Sequence, residues 1–260
     1  MSLTSLSNKG FTNAVVSLAV KTLKVRYKNS LIGIFWSMLN PLLFLVILYI
    51  VFSKVAKGDD GTLNYTLYAL SGLIFWNFIS ASILQVLTSF IDNGDILKSV
   101  NLHPIAFPLA AMLAAIFNLL LSFIPFFAIL YFIGYQIDIS IIAVIPFIIV
   151  SSVFITGLGM LLGTLNVYFR DINLLWTTLM PAFFYFTPIA YPLSFIPERF
   201  QWLMKMNPFY YFVDSVHQIF HDSQFPSMEN SMMMLALAIA AYAIGYLVFI
   251  KLRKGFISNI

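Results

Sequence analysis

Six long runs without Asp, Glu, Lys or Arg constrain this chain more than any other feature of its sequence. A helix needs about 20 apolar residues to cross a bilayer, and one charged side chain at its centre costs roughly 2.5–3.5 kcal/mol. Only 9% of the residues are charged, against about 25% in soluble domains. The pattern predicts an all-α membrane protein. Its six transmembrane helices are expected at about 31–52, 65–91, 108–134, 139–167, 173–187 and 231–250.

The positions of the basic residues predict which way the chain faces. With the N-terminus in the cytosol, ten Lys and Arg residues fall inside and four fall outside. Loops rich in Lys and Arg stay on the cytoplasmic side. We therefore expect a multi-pass membrane protein with both termini in the cytoplasm.

The segment 11–28 is predicted to be an amphipathic helix that lies on the membrane. Polar residues recur at helical spacing on one face, and apolar residues occupy the other, a distribution that suits the headgroup region. The polar positions are Asn13, Ser17, Lys21, Lys24 and Lys28, and the apolar ones are Phe11, Ala14, Val15, Leu18 and Val25. The alternative is an amphipathic segment in solution.

Prolines shape the region between the fifth and sixth spans. Pro181, Pro188, Pro192 and Pro197 disfavour a continuous helix beyond about Thr187. Two short external helices are predicted at 197–206 and 208–220, lying in or dipping into the outer leaflet. In the fourth span, the small-xxx-small pair Gly159 and Gly163 favours close contact with another helix.

The predicted cytoplasmic loop 92–104 contains a short helix. Asn93–Gly94 is a turn signal, Asp95 is a candidate cap, and Pro104 is expected to end the helix. The loop is either a docking element for a cytosolic partner or an ordinary connector.

The absence of ionisable groups at membrane depth excludes several functions. Ion-coupled carriers use buried acids or histidines, and the three acids expected on the inner side form no cluster for a membrane enzyme. The chain has no cysteine and no nucleotide-binding motif. We predict no catalytic residue, and any energy for uphill movement must come from another polypeptide.

One histidine-containing face could bind a ligand. Asp214, His217 and His221 lie three and four residues apart, as in a metal or phosphate site on a helix. A solvated helix that faces the headgroups explains the spacing as well, and no metal site is predicted.

The chain is rich in aromatic residues, with 27 Phe, 13 Tyr and 4 Trp. Their faces can stack on sugar C–H surfaces and line a path for a neutral, hydroxyl-rich polymer, although lipid-facing or core packing explains any one of them too. The candidates for a pathway are Phe35, Trp76, Tyr185, Phe186 and Tyr191.

Five segments together resemble the permease subunit of the ABC-2 type polysaccharide exporters, in the branch that exports O-antigen and teichoic acid. They are RYKNSLIGIFWSMLNPL (26–42), LSGLIFWNF (70–78), LGTLNVYFRDI (162–172), YFTPIAY (185–191) and NPFYYFVD (207–214). The resemblance runs over nearly the whole chain, residues 1–260, as a single transmembrane domain. It implies a protein of the bacterial cytoplasmic (inner) membrane. It also implies a homodimer with two copies of a separate cytosolic ATPase, which would hold the ATP and magnesium, and no cofactor on this chain.

The resemblance also implies roles for particular residues. The loop 92–104 would be the coupling element, through Asp95, Ile96, Leu97, Lys98, Ser99 and Asn101. The helices in 197–220 would form an outer gate that includes Pro197, Trp202, Asn207, Pro208 and Tyr210. The cargo would be a polymer on undecaprenyl diphosphate, guided at the inner face by Arg26, Lys28 and Arg170, although Arg170 is equally explained as an anchor paired with Asp171. The alternatives are an ABC-2 exporter of a non-carbohydrate lipid or drug, and a membrane enzyme of lipid-linked glycan synthesis.

Overall fold

The computed structural model describes residues 8–28, 59–132, 134–135 and 138–260, and the isolated positions 35, 39, 43, 47 and 50. Every regular element in these residues is helical. The predicted first span, 31–52, lies outside the described residues except at the isolated positions.

Ten α-helices are described. They are α1 (Asn8–Tyr27), α2 (Asp59–Asp92), α3 (Gly94–Ser99), α4 (Ala106–Phe132), α5 (Val144–Tyr168), α6 (Asp171–Phe186), α7 (Glu198–Met206), α8 (Pro208–Phe220), α9 (Met228–Leu252) and α10 (Phe256–Asn259). Short 3₁₀ turns lie at Ile139–Ala143, Leu193–Phe195 and Arg253–Gly255.

Four of the described segments are long and apolar enough to cross a membrane: Leu67–Asp92, Ala106–Phe132, Ile139–Tyr168 and Met228–Gly255. The predicted fifth span corresponds to α6, which has 16 residues. At 1.5 Å per residue α6 is about 24 Å long, less than the roughly 30 Å of hydrocarbon. The described residues therefore support a multi-pass helical protein but do not confirm six spans.

The central helix of the bundle is α5, which packs against α2 on one side and α9 on the other. A Cβ built at Gly163 would lie 2.8 Å from the Leu87 carbonyl oxygen of α2, and one at Gly159 would lie 2.7 Å from the Val86 side chain. The close contact predicted for this glycine pair is confirmed. Gly157 and Gly245 make a second crossing, where the backbones of α5 and α9 meet directly.

The bundle has two distinct ends. At the α1 end lie α1, α3, the turn between α5 and α6, and α10, around a cluster that includes Leu18, Phe90 and Phe256. At the α8 end, α8 packs against α2 and α9, and its aromatic residues join the main core.

The predicted apolar face of α1 is largely confirmed, because Phe11, Val15 and Leu18 pack into the cluster at the α1 end. Val25 departs from the prediction, since 63% of its surface is exposed. The Tyr27 hydroxyl donates a 2.7 Å hydrogen bond to Asn118 Oδ1 of α4. This contact directs the Tyr27 side chain toward α4. Val25, two residues earlier, lies about 200° around the helix from Tyr27, at about 100° per residue.

Candidate functional site

The loop 92–104 contains the short helix predicted from the sequence, with different boundaries. Asn93 occupies the N-cap position of α3, and its side chain makes no capping hydrogen bond; instead Asn93 Nδ2 donates to the Ser89 carbonyl at 2.9 Å. Asp95 lies in the first turn, so its assignment as the cap was wrong. The helix ends at Ser99 because Val100 is extended, with φ −118° and ψ 133°. Pro104 therefore does not end α3 but begins the turn into α4, where Phe107 N donates to the Pro104 carbonyl.

The side chains of α3 divide into an anchored set and an exposed set. Leu97 is only 7% exposed and packs into the cluster at the α1 end, with Ile96 partly buried beside it. The residues that face outward are Asp95, Lys98, Ser99, Val100 and Asn101. Val100, with 53% of its surface exposed, was missed in the sequence analysis. We call this exposed set the α3 surface.

The C-terminal segment packs against α3 at the buried Gly94. Phe256 is 1% exposed, and its ring centroid lies 4.9 Å from that of Phe90. A Cβ at Gly94 would collide with the Ile260 side chain, so α3 and the C-terminal segment are in direct contact. No sequence pattern indicated this contact, because Gly94 and Ile260 lie far apart in the chain.

The turn between α5 and α6 is tied to the same segment. The Tyr168 hydroxyl donates a 2.5 Å hydrogen bond to the Leu252 carbonyl, and Arg170 Nη2 donates to the Asn259 carbonyl at 3.2 Å. Among the described residues Arg170 forms no ion pair with Asp171; its role as a positive-inside anchor stays a prediction. α3, this turn and α10 therefore form one connected group.

The basic residues predicted to meet the cargo are not gathered in one described place. Arg26 Nη2 donates to Gln85 Oε1 of α2 at 3.0 Å. Lys28 is exposed just after α1, and Arg170 lies against the C-terminal segment. Their predicted role in guiding a diphosphate stays a prediction.

At the α8 end, tyrosines of α2 hold the segment between α6 and α7. The Tyr65 hydroxyl donates to the Ala190 carbonyl at 2.6 Å, and the Tyr68 hydroxyl lies 3.2 Å from the Tyr191 carbonyl. Asn207 is buried, accepts from Phe209 N at 3.0 Å as the cap of α8, and donates to Thr187 Oγ1 at 2.8 Å. The segment 187–191 is thus fixed to both α2 and the start of α8.

The helix α8 is buried in the protein rather than solvated. His217 is 3% exposed and stacks on Tyr68, with ring centroids 3.6 Å apart. Asp214 Oδ2 accepts from Gln218 at 2.8 Å and from Asn230 at 2.6 Å. The interpretation of this face as headgroup-solvated was wrong, because α2 and α9 supply its partners.

Burial changes the protonation of this cluster. Desolvation and the neighbouring His221 lower the pKa of His217 to about 3. Desolvation also raises the pKa of Asp214, although its hydrogen bonds from Asn230 and Gln218 oppose the shift. A neutral, buried imidazole at neutral pH is a packing element here. In the described residues no three His, Cys, Asp or Glu side chains are grouped for a metal ion.

The aromatic and gate candidates occupy different environments. Trp76 is buried, with its ring centroid 5.6 Å from that of Phe209 and 6.0 Å from that of Phe184. The other candidates divide into exposed side chains (Phe35, Tyr185, Pro197, Trp202), half-buried ones (Phe186, Tyr191, Pro208) and the buried Tyr210. Only an exposed or half-buried aromatic side chain can face a path outside the core of this chain without repacking. Their predicted roles stay predictions.

These features define a multi-pass α-helical membrane protein with a short, exposed helix at one end and a buried short helix at the other. The profile of the ABC-2 type transporter family matches residues 13–221. The chain belongs to the ABC-2 type transporter family.

Individual relatives match over almost the whole chain. An O-antigen export system permease protein RfbA of Klebsiella pneumoniae is 31% identical over 258 residues, with 98% of each chain covered. A second K. pneumoniae protein of the same name is also 31% identical over 258 residues. The RfbA protein of Myxococcus xanthus is 25% identical over 253 residues, with 96% of each chain covered. The family resemblance inferred from the sequence is confirmed.

Proposed function

We propose that this chain is the transmembrane subunit of an ATP-driven exporter that moves a polysaccharide across the inner membrane. The observation that carries the proposal is the similarity to O-antigen export permeases over 98% of the chain. The chain lies with the α1 end and both termini in the cytoplasm, as the distribution of Lys and Arg predicts. It is a permease and not an enzyme.

The energy enters through the α3 surface, which binds a separate cytosolic ATPase that holds ATP and magnesium. Two features support this role. The helix has six residues, too few to be stable alone, yet Leu97 and the C-terminal segment hold it in place. Its outward side presents Asp95, Lys98 and Val100, a mixed surface suited to a protein partner.

The working unit is a homodimer with two copies of the ATPase. The exposed face of α6 supports this assembly, because Trp176 is its only buried side chain. Leu174, Leu175 and Leu179 are exposed on that helix. A second copy of the chain would cover this apolar face beside the transport path.

The cargo is a polysaccharide attached to undecaprenyl diphosphate. Arg26, Lys28 and Arg170, all at the α1 end, guide the diphosphate, and α7 with α8 and Asn207 forms the outer gate. The exposed Tyr185 and the half-buried Tyr191 and Phe186 line the path for the neutral sugar chain.

Deletion of the gene tests the cargo, and cysteine crosslinking tests the coupling. Deletion should remove the surface glycan and leave finished polymer in the cytoplasm; an unchanged surface glycan would favour a lipid or drug cargo instead. Lys98→Cys and Val100→Cys should crosslink to the ATPase, whereas the buried Leu97→Cys, the matched control, should not. Absence of crosslinks from both exposed positions would exclude the α3 surface as the coupling element.

A further inference from the structure

A cavity of about 350 Å³ lies at the α1 end, between α1, α2 and α4. Its walls include Leu18, Val25 and Ala110, and its polar lining includes Lys21 and Asp92. It extends from Asn93 at the end of α2 to Gln85, eight residues deeper, or about 12 Å along the helix. Polar and apolar side chains are therefore combined along this length of the cavity.

The polar amides in this cavity are already engaged within the protein. Gln85 Nε2 donates to the Ala111 carbonyl at 3.0 Å, and Gln85 Oε1 accepts from Arg26. Asn93 Nδ2 donates to Ser89, and Asn93 Oδ1 accepts from Lys21 Nζ at 2.9 Å. The charged groups of the lining are the Lys21 ammonium, which has three donors and uses one on Asn93, and the Asp92 carboxylate.

Lys21 and Asp92 line the same cavity without forming an ion pair with each other. One cation and one anion that do not pair with each other complement a ligand whose phosphate and ammonium groups are joined by a short linker. Charge-assisted hydrogen bonds to both groups are stronger than neutral ones. A carboxylate also favours a primary ammonium, which donates hydrogen bonds, over a quaternary one, which cannot.

We propose that this cavity binds an aminophospholipid such as phosphatidylethanolamine. Its phosphate contacts Lys21, its ammonium contacts Asp92, and its glycerol and first acyl carbons lie along Leu18, Val25 and Ala110. The lipid fastens α1 to α2 and α4. The proposal is independent of the cargo, because a lipid-linked diphosphate has no cation to match Asp92.

Native mass spectrometry of the purified dimer with its ATPase tests the site. Phosphatidylethanolamine, phosphatidylglycerol, phosphatidylcholine and undecaprenyl diphosphate are the added lipids. We expect phosphatidylethanolamine to be retained at least fivefold better than the other three. Asp92→Asn should lower the retention of phosphatidylethanolamine to the level of phosphatidylcholine. Lys21→Gln should lower the retention of both phosphatidylethanolamine and phosphatidylcholine. The controls Lys24→Gln and Asp171→Asn change charges outside the cavity and should leave the retention of all four lipids unchanged.

Filling the cavity gives a second test that leaves both charges in place. Val25→Trp, at an exposed position of the wall, should reduce phosphatidylethanolamine retention at least fivefold without changing the elution profile of the complex. Equal retention of all lipids by the wild type would overturn the proposal. Preferential retention of undecaprenyl diphosphate would also overturn it and would assign the cavity to the cargo.

Discussion

Arg170 Nη2 donates a hydrogen bond to the carbonyl of Asn259, a residue 89 positions later in the chain, at 3.2 Å. The bond joins the turn between α5 and α6 to α10, and the C-terminal segment also contacts Gly94 of α3. Two contacts therefore connect α3 to the start of α6. This connection links the α3 surface to a helix of which only Trp176 is buried.

Arg170→Ala should abolish export while assembly and ATP hydrolysis persist, because the variant removes a cation proposed to meet the diphosphate. The matched variant Arg170→Gln removes the cation but keeps an N–H donor for the Asn259 carbonyl. It should lose export as Arg170→Ala does. Surface glycan and ATPase activity of the purified complex are the measurements. Retained export in Arg170→Gln would show that Arg170 acts by holding the C-terminal segment.

Gly157→Val should destabilise the protein by about 1–3 kcal/mol, the usual range for overpacking. A Cβ at this position meets the backbone at Tyr242, which cannot move aside as a flexible side chain can. Gly245→Val should act similarly, since a Cβ there meets the Gly157 carbonyl. Denaturant titration of the purified protein gives the free energies of unfolding. Ala240→Val, on the exposed face of α9, is the control and should stay within about 0.5 kcal/mol of the wild type.

Asn207→Ala should lower the free energy of unfolding by about 1–2 kcal/mol through loss of the α8 cap. The variant also leaves the buried Thr187 hydroxyl without the donor from Asn207 Nδ2. Asn207→Asp keeps the oxygen that accepts from Phe209 N. It should therefore lower the free energy of unfolding less than Asn207→Ala does. The same titration measures all three proteins, with the exposed Asn13→Ala as control. If Asn207→Asp lowers the free energy of unfolding as much as Asn207→Ala does, the hydrogen bond to Thr187, and not the cap, contributes most of the stability.

Stability should fall as the pH drops below about 6.5, and His217 should cause part of the fall. The pKa of His217 is lowered to about 3 in the folded protein, whereas an unfolded histidine titrates near 6.5. Between these values the unfolded state binds more protons, so acid favours unfolding. At 1.36 kcal/mol per pH unit, lowering the pH from 6.5 to 5 costs up to about 2 kcal/mol.

His217→Gln should remove this part of the pH dependence, measured as the difference in unfolding free energy between pH 7.5 and pH 5. His221→Gln is the control, because His221 is exposed, and it should retain most of the dependence. The raised pKa of Asp214 acts in the opposite direction in all three proteins. The comparison of variants therefore isolates His217, and an unchanged slope in His217→Gln would refute the assignment.

Local patterns predicted the elements that depend on nearby residues. The prolines after Thr187 end α6 at Phe186, and Asn207–Pro208 divides α7 from α8 as expected. The pair Gly159 and Gly163 marked a real helix crossing, because small residues act where two backbones approach.

The partners of α8 come from distant parts of the chain and could not be predicted. Asp214 and His217 appeared solvated because polar residues usually face water, but Tyr68 of α2 and Asn230 of α9 accommodate them in the interior. The contact between Ile260 and Gly94 could not be predicted for the same reason. Neither contact leaves a periodic trace in the sequence.

The burial of α8 restricts how the α8 end of the protein can open. Phe209, Phe212 and Phe220 are each at most 1% exposed, and moving these three rings into water costs roughly 5–9 kcal/mol, comparable to the whole stability of many domains. An opening in which α8 swings out alone is therefore unfavourable. If this end opens, we expect α8 to move together with α2 and α9, against which it packs, while the exposed α7 is less restrained.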